Sequence, residues 1–138
     1  MTGTDAPGPT FVLVHGFGTT QTVWAHQRPV LETLGRVASF DLPGATAASL
    51  SAFHPQRHAR LAGFAEDLLG LLEENDLLGC YLVGHSLGGL IGLLAASVEP
   101  KAFRGLVLLG ASACYLDDLA QNYVGGFTPA LVDELLQA

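Results

Sequence analysis

The sequence predicts an α/β domain, a three-layer sandwich built on a parallel sheet, and three observations carry that expectation. Short apolar runs alternate with stretches of helical period, glycines stand at the ends of the apolar runs, and 49% of the 138 residues are hydrophobic against 14% charged. Strands alternating with helices specify right-handed crossovers and therefore helices on both faces of a parallel sheet. This length is one domain, and a chain so apolar can bury a core rather than stay disordered.

The elements follow in order. Phe11-Val-Leu-Val-His15 is an apolar run closed by Gly16-Phe-Gly18, the pattern of a strand buried on both faces. Thr19, Thr20 and Thr22 offer N-caps for a helix from Gln21 to Leu34, with Gly35 as its stop. Arg36–Asp41 is the second strand, ended by Leu42-Pro43-Gly44, and the small-residue stretch from Ala45 to Arg60 is a surface loop by composition. In the next helix Leu61, Phe64, Ala65, Leu68, Leu69, Leu71 and Leu72 recur at helical spacing, with Glu66, Asp67, Glu73 and Glu74 largely off that face. Cys80–Gly84 is the third strand, Ser86–Ser97 a helix, and Gly105–Gly110 the fourth strand. Beyond it come a polar loop, a Gly125-Gly126 break, and a helix with Thr128 and Pro129 as N-cap and N1.

Composition excludes several functions. Thirteen acidic against 6 basic residues give a net charge of −7, and the scattered bases cannot form a nucleic-acid surface. Cys80 and Cys114 are too few for a disulfide scaffold and stand apart from any His/Cys cluster, so no metal is expected and a reducing, cytoplasmic setting fits. The first ten residues have neither a basic nor an apolar signal region. Leu77–Val98 lacks Asp, Glu, Lys and Arg and is long enough to span a bilayer, yet Gly-His-Ser-Leu-Gly-Gly interrupts it. It reads as a strand, a sharp turn and a helix, with no membrane partner.

That turn carries the strongest chemical signal. Gly84-His85-Ser86-Leu87-Gly88-Gly89 is a Gly-x-Ser-x-Gly between strand and helix, where the turn strains the central residue and the flanking Gly84 and Gly88 permit close packing. Ser86 is then thrust above the sheet edge at a helix N-terminus, which favours an anionic oxygen. The backbone N–H of Leu87 points to the same place. A tetrahedral oxyanion needs a second donor, and in the loop His15-Gly16-Phe17-Gly18 the Phe17 N–H is the candidate. Ser86 is thus the expected nucleophile, with His15, Gly16, Gly84, His85 and Gly88 supporting. His85 adjoins Ser86 in sequence but should project elsewhere, and His15 shapes its loop. A dinucleotide-binding reading of Gly16-x-Gly18 with Asp41 lacks the third glycine, has Gln21 where close packing is needed, and leaves Ser86 unexplained. Asp41 is then a turn residue at a strand end, and His54 and His58 sit on a solvated loop or helix start. No cofactor is expected.

His15-Gly-Phe-Gly18 with Gln21-Thr-Val-Trp24, the Val83-Gly-His-Ser86 turn, Leu90–Ser97, and Ala113-Cys-Tyr-Leu-Asp-Asp118 with Tyr123-Val-Gly-Gly-Phe127 resemble the α/β-hydrolases. Within them the likeness is to the bacterial sigma-factor regulatory hydrolases of the RsbQ type and the plant strigolactone and karrikin receptors. It runs from Phe11 to Ala138, with Leu87-Gly88-Gly89 as a departure leaning toward generic esterases. The resemblance implies strand order 2-1-3-4, a partial hydrolase core over 1–110, and over 111–138 the loop and first helix of a lid. It also implies a serine hydrolase acting on small apolar esters or lactones through an acyl-enzyme, or else a small-molecule receptor with a signalling protein partner. In such proteins the triad acid and His follow the Ser. All five His here stand at or before position 85, and Asp117, Asp118 and Asp133 lie at the lid entrance. The expectation is an N-terminal, truncated portion whose Asp and His come from elsewhere, inactive alone. Both edge strands are expected to lack a family neighbour and so to invite self-association or pairing with a missing C-terminal half.

Overall fold

The computed structural model describes residues 2–3 and 7–137, so residue 1, where the expected core unit begins, residues 4–6, and residue 138, where the expected lid unit ends, lie outside it. The sheet is built from β1 (Thr2–Gly3), β2 (Thr10–Val14), β3 (Arg36–Phe40), β4 (Cys80–His85) and β5 (Phe103–Leu109), in the order β1-β3-β2-β4-β5. The helices are α1 (Arg28–Glu32), α2 (Leu61–Glu74), α3 (Leu87–Val98) and α4 (Pro129–Gln137). β3, β2, β4 and β5 are parallel, and their order is the expected 2-1-3-4. Leu77–Val98 resolves into β4, a turn and α3, and no helix among the described residues is long and apolar enough to cross a membrane.

Two expectations are corrected here. The β3 edge is not bare, because Thr2 and Gly3 pair antiparallel with Ser39 and Ala38. The helix expected over 21–34 is broken into a 3-10 turn over Gln21–Trp24 and the short α1. Pro29, at the start of α1, has no N–H to give a preceding turn, so a continuous helix cannot run through it. Thr20 caps the 3-10 turn by accepting from Thr22 N–H, and Thr19 is left to another task.

On one face of the sheet Val12, Val14, Ala38, Phe40 and Leu82 pack against Leu68 and Leu72 of α2 and Ile91 and Ala95 of α3, forming the main core. The other face holds a smaller cluster, Leu13 and Val37 against Trp24, with Phe11, Leu31 and Val83 partly buried around it. α4 buries no residue. Before it, the two motifs around Asp117 and Gly125-Gly126 meet: Asp117 Oδ1 accepts from both glycine amides at 2.9 Å, and Asp117 N–H donates to the Phe127 carbonyl at 2.9 Å. Thr128 and Pro129 start α4 as expected, Thr128 Oγ1 accepting from Leu131 N–H at 3.2 Å.

His58 departs from the solvated position expected of it. Its side chain is buried, its ring stacked on Phe53 and tilted against Phe64. Nδ1 accepts from His54 N–H at 2.8 Å, which leaves the proton on Nε2 to donate to Asp67 Oδ2 at 2.7 Å. Arg57 reaches the other Asp67 oxygen at 2.6 Å. Together these bonds latch the 41–60 loop to α2.

Candidate active site

β4 runs straight into α3 with only Ser86 between them, and that residue absorbs the change of direction at φ 50°, ψ −117°. A non-glycine residue there stores roughly 1–3 kcal/mol of strain. Tight packing keeps it so. A Cβ on Gly84 would lie 2.6 Å from Gly89 Cα, and one on Gly88 would press into the carbonyls of Val14 and His15. Only glycines let the start of α3 lie this close to the ends of β2 and β4. Ser86 N–H donates to the Leu109 carbonyl at 2.8 Å, and its own carbonyl accepts from Gly89 and Leu90. The half-exposed side chain makes no capping bond.

The loop after β2 lies against this turn, since a Cβ on Gly16 would stand 3.2 Å from Ser86 Cβ. Phe17 and Leu87 thus flank Ser86 from the two elements, and among the described residues neither backbone N–H donates to another group. His15 is fully buried behind them. Its Nε2 accepts from Leu42 N–H at 2.9 Å, so the ring proton sits on Nδ1, which donates to the Gly16 carbonyl at 2.8 Å. Both ring nitrogens are thus occupied by backbone groups, which tie the loop after β2 to Leu42. His85 is exposed, and the alternation of β4 puts it on the sheet face opposite the buried Gly84.

Asp41 is engaged from β2's side of the molecule: Oδ1 accepts from Gln21 N–H at 2.8 Å and Oδ2 from Gln21 Nε2 at 3.3 Å. Its carboxylate closes a turn and is not open to a ribose. Asp117 and Asp118 spend their carboxylates on local backbone amides. Two side chains near the loop are held in ways the sequence reading did not expect, His58 and Thr19. The first is placed by partners up to nine residues away, the second by a three-residue hydrogen bond to Gly16 that a run of threonines does not announce.

A cleft of about 490 Å³ opens beside the His15–Gly18 loop, walled by Phe17, Leu42, Leu50, Phe53, Phe64 and Leu87. Phe17 and Leu50 keep 64% and 62% of their surface exposed there, so an apolar wall is presented rather than covered.

Comparison with known proteins agrees with this fold. A model of the alpha/beta hydrolase fold matches residues 9–136. A protein of Oryza sativa subsp. japonica named as a probable esterase is 45% identical over 127 residues, covering 92% of this chain and 46% of that one. Karrikin insensitive 2 receptor CA of Petunia hybrida is 40% identical over 129 residues, covering 94% and 47%. A solved hydrolase from Oleispira antarctica superposes with a TM-score of 0.86 at 29% identity, over 99% of this chain and 50% of that one. The chain spans about half the length of the relatives it matches. A match over residues 9–136, on a sheet with the strand order that the resemblance implies, makes this chain a member of the alpha/beta hydrolase fold family.

Proposed function

We propose that this chain is the nucleophile-bearing part of a hydrolase that acts on small apolar carboxylic esters or lactones. Ser86 Oγ attacks the carbonyl carbon, and the Phe17 and Leu87 amides hold the oxyanion of the tetrahedral intermediate. Collapse then expels the alcohol and leaves an acyl group on Ser86, which water removes. The observation that carries this reading is the strained Ser86 turn set against a loop whose Phe17 amide, like Leu87's, has no protein partner among the described residues. The apolar cleft beside it supports an apolar substrate.

No His follows Ser86 in this sequence, so the proton acceptor and its acid partner belong to residues outside these 138. The 138-residue chain is then expected to hydrolyse p-nitrophenyl acetate weakly or not at all, since loss of the base leaves only the residual rate of the oxyanion hole. Robust turnover that Ser86→Ala abolishes would show a base within these residues and overturn that part. Reading the coding sequence past codon 138 and assaying its product is the positive arm: ester hydrolysis lost in Ser86→Ala is expected, and hydrolysis indifferent to Ser86 sinks the proposal.

The identity to a petunia karrikin receptor favours a second reading, a receptor that binds a small ligand in this site and engages a signalling protein. Slow single-turnover hydrolysis with altered partner binding supports the receptor, and fast multiple turnover excludes it as the main role. In either case residues 111–138 are the entrance of a lid over the site. Two free cysteines, one exposed, support a cytoplasmic location. The outer side of β5, which pairs with no strand among the described residues, supports self-association or pairing with the family's remaining strands.

A further inference from the structure

We infer that Thr19 is a positioning residue for the oxyanion site, acting through the Gly16–Phe17 peptide; this rests on the reading of Ser86 and Phe17 above. The Gly16 carbonyl accepts two hydrogen bonds, from His15 Nδ1 at 2.8 Å and from Thr19 Oγ1 at 3.0 Å. The same hydroxyl lies 3.4 Å from His15 Nδ1, so the three groups form a closed triangle. No peptide bond among the described residues is cis, and a trans peptide is planar with its C=O and N–H pointing in opposite directions. Fixing the Gly16 oxygen therefore fixes the Phe17 N–H on the other side of the plane.

His15 alone cannot do this firmly. It is the residue immediately before Gly16, so its bond spans a single peptide and leaves the plane free to rock about that contact. Thr19 approaches from three residues further on, across the turn that Gly18 makes at φ 69°, and ties both ends of the loop to one oxygen. Both lone pairs of the carbonyl are then used. The Phe17 amide is thereby aimed before substrate arrives, which is the preorganisation that oxyanion stabilisation demands.

The test reads the amide first and chemistry second, in the 138-residue chain. Backbone ¹⁵N relaxation should give the Phe17 N–H an order parameter near the rigid value of about 0.85 in the parent and in Thr19→Ser, and a fall toward about 0.6 in Thr19→Val. Val12–Val14 amides should not change. Phenylboronate, whose tetrahedral anion exchanges one hydroxyl for the Ser86 oxygen and takes the serine proton away as water, requires no His. In buffer alkaline enough to ionise the boronic acid it should bind about fivefold more weakly to Thr19→Val, the size of one lost neutral hydrogen bond, with Thr19→Ser restoring it. Thr19→Ala serves the same readouts should the valine variant not fold. An unchanged Phe17 order parameter in Thr19→Val overturns the inference, as does a fall in order with unchanged boronate binding. Boronate binding that survives Ser86→Ala instead removes the nucleophile reading on which the role depends, and the Phe17 order parameter then decides by itself whether Thr19 clamps the peptide.

Discussion

The two faces of the sheet are built from the same strands and are finished to different degrees. Toward α2 and α3, alternate residues Val12, Val14, Leu82 and Cys80 have no exposed surface. Toward α1, the face is covered only where Trp24 and Leu31 reach, over Leu13 and Val37. At the β5 side of that second face Tyr81, Val107 and Leu109 keep 36%, 48% and 43% of their surface in solvent. The contrast teaches where the apolar composition went: one face is a closed core from β3 through β4 and opens only at Leu108 of β5, and the other is covered over only part of its width. Ser86 sits at the end of the finished face, with its turn gripped by backbone contacts from α3 and β2.

The largest test of this contrast is truncation on each side. Leu72→Ala, in the closed core, should cost about 2–5 kcal/mol in urea unfolding, whereas Val107→Ala on the open face should cost less than about 1 kcal/mol because no full cavity forms. Equal losses would erase the distinction between the faces. Next comes Cys80, whose thiol burial pushes up from 9.0 to about 11. The unfolded chain ionises first as pH rises, so this thiol's contribution is intact below about pH 9 and is lost as pH climbs to about 11. The loss should reach roughly 2–3 kcal/mol and be absent in Cys80→Ala, as read from unfolding curves across that range. A smaller effect, about 1–2 kcal/mol, is expected for Asp67→Ala, which strands the buried His58 Nε2–H and frees the loop from α2. The smallest in stability is Tyr81→Lys on the open face, within about 0.5 kcal/mol, but it should lower self-association in sedimentation measurements. An unchanged sedimentation profile from an associating parent would move the sticky surface elsewhere.

Much of this was readable from residues, and the exceptions have causes. The parallel sheet followed from the alternation of apolar runs and helices, its strand order only from the family resemblance, and the Ser86 turn from a local Gly-x-Ser-x-Gly whose meaning needs only its neighbours. The β1 pairing was invisible because two residues, Thr2 and Gly3, carry no period. The broken helix after Gln21 was legible in Pro29, which an expectation drawn from the threonine caps and the Gly35 stop passed over. His58 looked like a loop residue because its burial is tertiary, supplied by Phe53, Phe64 and Asp67. Thr19 sat among three threonines, and only coordinates distinguish the one that caps from the one that holds a carbonyl.

Gly88 has a metrological consequence. A Cβ there would collide with the carbonyl oxygens of Val14 and His15, so the helix that begins at Leu87 approaches the strand that leads to Phe17 as closely as a bare glycine allows, and the two share one hard stop. Steric contact has neither a proton to lose nor a charge to screen. The spacing between the two amides is therefore gauged by atomic radii, and it should hold across pH and salt conditions that loosen every polar bond around it.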